Sequence, residues 1–419
     1  MPVKTSVVFV AGPDPLEGMG GHSSYVRAHG RAALHAGFQP HIVCVGARDE
    51  VVPTEFGIVH RLRARAPLER IPAVRVRQHQ LIWRVPLLAR AVERLVLARP
   101  GTRLIHSFGS FGCVGLAAHG ALRQQGVDTV PVVGVYDTLV RESRAKLRGA
   151  RAHGVVPRVS FAVELFWNKV LVARYERRGL SGARLVLVNY ESVRRILADS
   201  YGIADNVRTI PYSSEAAFLD GRSRPPLPSR LATLGPLEAP LVVAVSRQDP
   251  RKGLDVLLDA LARLRAAGVP FRACLVGGGP LLATHRRLAR RLGLDGVAAI
   301  EGFVPDPYCY LQHADLFVLP SLEEGSGSLS LLEALQAGVA VVASNVDGIP
   351  EDVEDGVSAL LVTPGDSAEL TRALERVLTE PWLRRRLGQQ ARATFEARFS
   401  ADRFAAALRT VYADLGITA

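Results

Sequence analysis

Two stretches of this chain place charged and polar side chains where a buried apolar run gives way to a helix. The run VSRQDPRKG at 245–253 offers Arg247 and Lys252 at such a junction. Two cations beside the free N–H groups of a helix N-terminus suit an anion such as a phosphate. A solvated loop is the plain alternative, because basic residues are common in loops. Lys252 is the only lysine in the second half of the chain, where the other basic residues are arginine. A compact ammonium acting as a point charge on phosphate is one reason for that choice.

The run PSLEEGSGSLSLLEAL at 320–335 leads with Glu323 and Glu324, continues through Gly325, Ser326, Gly327, Ser328 and Leu329, and carries Glu333 on the helix that follows. Glycines let backbone N–H groups come close to a ligand. Carboxylates on either side accept hydrogen bonds from sugar or ribose hydroxyls. A bare anion would not favour two acidic neighbours, whereas a polyhydroxylated, phosphorylated ligand would. The simpler alternative is a capping loop with acidic residues near a helix start. Two weaker stretches, Met19-Gly20-Gly21-His22-Ser23 before a helix and Gly277-Gly278-Gly279-Pro280 after a strand, permit close approach of a ligand. A tight turn explains either one equally well. His106 is expected at a strand terminus facing the same side, either touching donor or acceptor or sitting half-buried at the strand end.

These residues need a scaffold that presents strand ends. Short β-branched runs at 6–11, 41–45, 103–106, 131–136, 185–188 and 207–210 alternate with helical-period runs. The pattern restarts at 240–245, 271–276, 297–300, 316–319, 339–343 and 359–362. Continuous apolar runs of this kind fit strands buried on both faces, and strand–helix alternation means parallel sheets covered by helices. Residues 221–239 are rich in Pro and polar residues and read as a linker. The expected organisation is α/β: a Rossmann-like domain at 1–220, a second at 240–399, and a separate amphipathic helix at 400–419. Two doubly wound domains would face each other across a cleft, with ligands at the carboxyl ends of the strands.

Composition narrows the partners. The chain has 419 residues, 48% of them hydrophobic and 22% charged, which excludes a long disordered protein. Its net charge of +12 is uneven: residues 1–215 hold 30 basic and 16 acidic side chains, and the rest is nearly neutral. Arginine-rich blocks lie at 61–100 and 141–178, the second with Phe161, Phe166, Trp167 and Tyr175 at roughly helical spacing. They read either as a surface that meets an anionic membrane or as a solvated basic face over a core-facing stripe. No nucleic-acid recognition motif accompanies them, so no nucleic-acid partner is expected. Cys44, Cys113, Cys274 and Cys309 form no CxxC pair, which argues against zinc or a redox dithiol and fits a reducing compartment. The apolar run near the N-terminus reads as a buried strand rather than a signal peptide, and no run is long enough to span a membrane. A cytoplasmic protein, peripheral on the inner face of the plasma membrane if the basic half binds lipid, is the resulting expectation.

Taken together and in order, SRQDPRKGLDVLLDAL, LVGGGP, EGFVPD, YLQHADLFVLPSLEEG, LLEALQAGVAVVAS and GIPEDVEDGVSALLVTPGD resemble family 4 of the retaining, nucleotide-sugar-dependent glycosyltransferases, which have the GT-B fold. The resemblance implies that Arg247 and Lys252 bind the donor diphosphate and that Glu333 holds the donor ribose. It implies that Glu324, with Gly325, Ser326, Gly327, Ser328 and Leu329, meets the transferred sugar. Gly278 and Val304 would face the nucleotide base and ribose, and Gly20 and Gly21 would close on the diphosphate. The C-terminal helix would cross back to the first domain, where the acceptor binds. A hexose-type sugar would pass from a UDP- or GDP-linked donor to a saccharide, lipid-linked saccharide or small metabolite, with no resident cofactor or metal. Catalysis would rest on Arg247, Lys252 and Glu324, because preorganised cations stabilise the leaving diphosphate.

Three departures stand against the family pattern. Eight residues rather than the usual seven separate Glu324 from Glu333. Tyr136, followed by Asp137, stands where many members have a histidine touching the donor sugar. Ile210-Pro211-Tyr212-Ser213-Ser214 replaces a Pro-Asn-Gly stretch. The longer spacing keeps open a non-catalytic or hydrolytic GT-B protein, such as one like a sugar-nucleotide epimerase.

Overall fold

A computed structural model describes residues 4–17, 21–63, 81–149, 155–219, 226 and 228–419. The chain divides into two compact units, each built on its own sheet. One comprises Met1–Arg144, Val156–Phe218 and Ala401–Ala419, and the other Ala145–Val155 and Leu219–Ser400.

The first unit holds β1 (Ser6–Pro13), β2 (Gln39–Gly46), β3 (Glu50–Thr54), β4 (Gly57–Arg63), β5 (Leu104–Phe108), β6 (Val130–Val135), β7 (Leu185–Val188) and β8 (Val207–Thr209). Their order is β3-β4-β2-β1-β5-β6-β7-β8. Every pairing is parallel except β3 with β4. The apolar runs expected as strands all appear. The β3–β4 hairpin does not follow from them: it is an edge hairpin of alternating exposure, with Pro53 on the outermost strand where a missing N–H costs nothing.

In the second unit β9 (Leu241–Val245), β10 (Arg272–Val276), β11 (Ala298–Ile300), β12 (Leu316–Leu319), β13 (Ala340–Ser344) and β14 (Leu360–Val362) form a parallel sheet in the order β11-β10-β9-β12-β13-β14. Its core packs Leu257, Leu261, Leu264, Leu275, Val318, Val342, Leu374 and Leu387 between sheet and helices. Residues 229–239, expected as linker, instead form the short helix Ser229–Ala232 and bury Leu231 and Leu234.

The C-terminal helix Ala401–Asp414 belongs to the first unit. Phe404, Ala405, Leu408, Val411 and Tyr412 fall at helical spacing and are buried. Tyr412 hydrogen-bonds Nδ1 of His106 at 2.8 Å, and the Phe404 ring meets His29 edge-on at 4.8 Å. This corrects the expectation for His106. β5 runs two residues past the position read as its end, so the ring lies inside the sheet, fully buried between Phe9 and Phe108. His106 is a core histidine and touches no ligand from there.

Burial holds both core histidines neutral. It drives His29 down to about 3, and it pushes His106, with His29 beside it, well below its ordinary range. The unfolded chain binds protons at these rings below about pH 6.5 and the folded chain does not, so stability present above that pH is lost as pH falls. Burial pushes the Glu176 carboxyl up to about 7, which opposes the trend. Wild type should lose about 2 kcal/mol of stability relative to His29→Leu from about pH 7 to about pH 5, measured by urea unfolding. A difference independent of pH would show that His29 is charged in the folded protein.

Candidate functional site

In the second unit the strand order reverses between β9 and β12. The chain leaves β9 for β10 on one side and β12 for β13 on the other, so the loops after β9 and β12 open a crevice at their carboxyl ends. The run 246–253 follows β9, and the run 320–328 follows β12.

The β9 loop is fixed by its own hydrogen bonds. Ser246 N donates to Val276 O at 3.0 Å, and Gln248 N donates to Gly278 O at 2.9 Å. That second bond ties the loop to the glycine run after β10. Gly278 lies beside Phe303 there, next to half-buried Val304. Gln248 and His285, both buried, hydrogen-bond at 2.6 Å beneath the loop. Buried Asp249 accepts from Arg251 N at 3.0 Å and caps the turn Pro250–Lys252. Gly253 follows with φ 58°, and a Cβ there would stand 2.1 Å from Pro320 O. Only glycine lets the two loops meet so closely. Leu322 N then donates to Arg251 O at 2.7 Å and completes the seam.

On that seam Lys252 Nζ donates to Glu324 Oε2 at 2.6 Å, with side-chain exposures of 12% and 3%. Ser321 Oγ donates to the other carboxylate oxygen at 2.5 Å. Asp347, held at φ 52°, accepts from the backbone N–H groups of Glu324 at 2.7 Å and Gly325 at 2.8 Å. The glutamate loop therefore turns at Gly325, with φ 89°, and Gly327 is not in the left-handed region. The Gly325 N–H, expected to be offered to a ligand, is engaged by Asp347 here. Ser326 and Ser328 are buried, and Ser328 opens the helix Leu329–Ala337, which carries half-buried Glu333. Arg247 lies half in solvent, its Nε 3.9 Å from Asp249 Oδ2. The structure thus joins Lys252 to Glu324 directly and sets Arg247, Gly278 and the serine–glycine loop after neighbouring strands of one sheet, with Glu333 on the helix that follows that loop. A buried ammonium–carboxylate pair with glycine backbone around it is a preorganised charge pair, with a lysine that an incoming dianion can recruit.

In the first unit Tyr136 follows β6 and Gly21 opens the helix Gly21–His35; Gly20 lies outside the described residues. Tyr136 has a partner that was not foreseen. His22 Nε2 lies 2.8 Å from Ala11 O, which can only accept, so Nε2 carries the proton. Burial lowers the His22 pKa and keeps the ring neutral, which leaves Nδ1 to accept the hydrogen bond from the Tyr136 hydroxyl. The phenol oxygen then presents lone pairs rather than its proton. Asp137, beside it, accepts from Thr138 N at 2.7 Å. Sequence reasoning also missed Ser321 and Asp347. His22 stood in the GGH run and Asp347 in an Asp-Gly pair, but neither type nor spacing names a partner so far along the chain.

A family model described as "Glycosyl transferases group 1" matches residues 232–394. A lipopolysaccharide core biosynthesis glycosyltransferase of Rhizobium meliloti is 30% identical over 210 residues, 49% of this chain and 60% of that protein. A GDP-mannose-dependent alpha-(1-6)-phosphatidylinositol monomannoside mannosyltransferase of Mycobacterium tuberculosis is 30% identical over 276 residues, 63% of this chain and 70% of its own. The chain spans about three fifths of the length of the first two curated relatives, 60% and 64%. Among solved structures, a sucrose-phosphate synthase from Thermosynechococcus elongatus is 24% identical and superposes with a TM-score of 0.74 over 99% of both chains. Anabaena HepE in complex with UDP and glucose is 19% identical, with a TM-score of 0.68 over 99% of this chain and all of its own. These likenesses show the GT-B fold.

The Lys252–Glu324 pair makes a stability prediction independent of any ligand. Lys252→Ala strands a buried carboxylate and should cost about 3–5 kcal/mol in urea unfolding. Adding Glu324→Gln removes the orphan charge and should recover most of that loss. A single variant as stable as wild type would mean that Glu324 is solvated.

Proposed function

The chain belongs to the group 1 glycosyl transferases, and we propose that it works as one, moving a hexose-type sugar from a UDP- or GDP-linked donor to an acceptor with retention of configuration. The observation that carries this reading is the buried Lys252–Glu324 pair at the point where the second sheet reverses. A neutral ligand would have no use for a lysine held there, whereas a diphosphate draws it off its carboxylate. Arg247, exposed on the same loop, supplies a second cation. Glu324, once released, accepts from a hydroxyl of the transferred sugar. Glu333 accepts from the ribose hydroxyls, and Gly278 and Val304 lie against the base.

The chemical step follows from the charges. The bond between the anomeric carbon and the phosphate oxygen breaks, and its electron pair leaves with the diphosphate. Positive charge grows on the sugar and negative charge on the leaving group, where Lys252 and Arg247 meet it in a fixed arrangement. The acceptor oxygen attacks on the face being vacated and passes its proton to the departing phosphate, which gives retention without a separate protein base. Tyr136 in place of a histidine is compatible with that route. The two cations carry the leaving-group charge, so the reading assigns no role to a metal ion. A donor of either nucleotide fits the comparisons, since the mannosyltransferase is named as GDP-mannose-dependent and HepE holds UDP and glucose. Acceptor binding is assigned to the first unit, with a saccharide, a lipid-linked saccharide or a small metabolite as the acceptor class. A cytoplasmic location, peripheral at an anionic membrane, completes the proposal.

Purified protein incubated with UDP-, GDP- and ADP-sugars should release nucleoside diphosphate from one donor class, slowly to water and faster with the right acceptor. Lys252→Ala should lower kcat/KM by about 10²–10³, the effect of losing charge stabilisation on the leaving group. Turnover within about twofold of wild type for the folded variant would overturn the diphosphate assignment.

A further inference from the structure

The helix Val155–Trp167 continues through a π-helical turn, Asn168–Val172, into the helix Ala173–Gly182. One face of this long element is built into the first unit. Phe161, Asn168, Val172, Glu176 and Leu180 are buried, and Asn168 donates to Ser143 Oγ at 2.6 Å. The opposite face is apolar and open. Val159, Val163, Phe166 and Val170 recur at steps of four, three and four residues, so they form one stripe. Their exposures are 57%, 44%, 59% and 40%. Apart from the Phe166 ring against Trp167, these side chains add little to the core, so a contiguous stripe of them calls for a use outside it.

The charges around the stripe select its occupant. Between 158 and 178 every exposed charged side chain is basic: Arg158, Lys169, Arg174, Arg177 and Arg178. The two carboxylates of the segment point the other way. Glu164 is half-buried and accepts from Ser143, and Glu176 is buried against Tyr201 and Leu139 N. A second copy of this chain docked through the same face would set these cations against each other. Nucleic acid would meet the cations but has no surface for four contiguous apolar side chains. An anionic bilayer satisfies both: the acyl boundary takes the apolar stripe, and lipid phosphates take the flanking cations.

We infer that the face of 158–178 bearing Val159, Val163, Phe166 and Val170 is a docking surface for an anionic lipid membrane. It deepens the peripheral location proposed above, and it stands or falls separately from sugar transfer because vesicle binding is read without any donor.

The test is flotation of the full chain with phosphatidylcholine vesicles, with and without phosphatidylglycerol, at low and physiological salt. Wild type should float with the anionic vesicles and much less with phosphatidylcholine alone. Val163→Ser with Phe166→Ser should weaken that binding at least about tenfold through lost apolar burial, and Arg174→Glu with Arg177→Glu by a similar factor that shrinks as salt rises. All these side chains are exposed, so both variants should keep wild-type unfolding midpoints and nucleoside diphosphate release. No flotation of wild type at low salt overturns the inference. So does undiminished flotation of the Val163→Ser, Phe166→Ser variant, or a concentration-dependent dimer that this variant abolishes.

Discussion

Everything proposed for the second unit depends on one contact between loops that leave adjacent parallel strands. Gly253 lies against Pro320 O because it has no side chain, and this close approach lets Lys252 reach Glu324 across 72 residues of sequence. The pair is nearly dry, so it is worth keeping only while both charges are met. Ser321 takes the remaining carboxylate oxygen, and Asp347 takes the two amides behind it. The loop is thus fixed before any ligand arrives. On the function proposed above, a diphosphate entering this seam would find a cation already aimed, and the carboxylate it displaces would be left facing hydroxyl-rich substrate.

The first unit is organised by a different constraint. Its core stacks Phe9, Tyr25, His29, His106 and Phe108, and the C-terminal helix closes that cluster with Phe404 and Tyr412. Histidines in such a place are apolar rings with one satisfied polar atom, kept uncharged by burial. The same unit shows the opposite economy at its surface, where apolar side chains on the 155–182 element are left in water beside cations. Basic excess in the first half of the chain is therefore not evenly useful. The part on this element would meet lipid on the docking surface proposed above, while Arg61 serves structure, buried against Asp14 at 2.7 Å.

Parallel strands were legible because each is a short continuous apolar run, and burial on both faces makes that run inevitable. The β3–β4 hairpin was not, since an edge strand needs only alternation and tolerates Pro53. In the candidate site, Arg247, Lys252 and Glu324 were picked out by charge beside strand ends, and Glu333 by its place on the helix that follows. Their connections were not, because spacing along the chain does not reveal which loops a sheet brings side by side. Asp347 adopts a left-handed backbone that no local pattern demands. His106 was misplaced by a strand boundary set two residues early, enough to move a ring from a rim into the core. Tyr136 was seen as a departure, but its meaning came only with His22, whose tautomer is fixed by the Ala11 carbonyl.

Glu324 is proposed to hold Lys252 in readiness for a diphosphate. Calorimetric titration of UDP and GDP into wild type and Glu324→Gln tests it most directly, since neither nucleotide carries the sugar that Glu324 would otherwise touch. The preferred nucleotide should bind Glu324→Gln at least about tenfold more tightly, because the competing carboxylate is gone. Equal or weaker binding by the variant would contradict it.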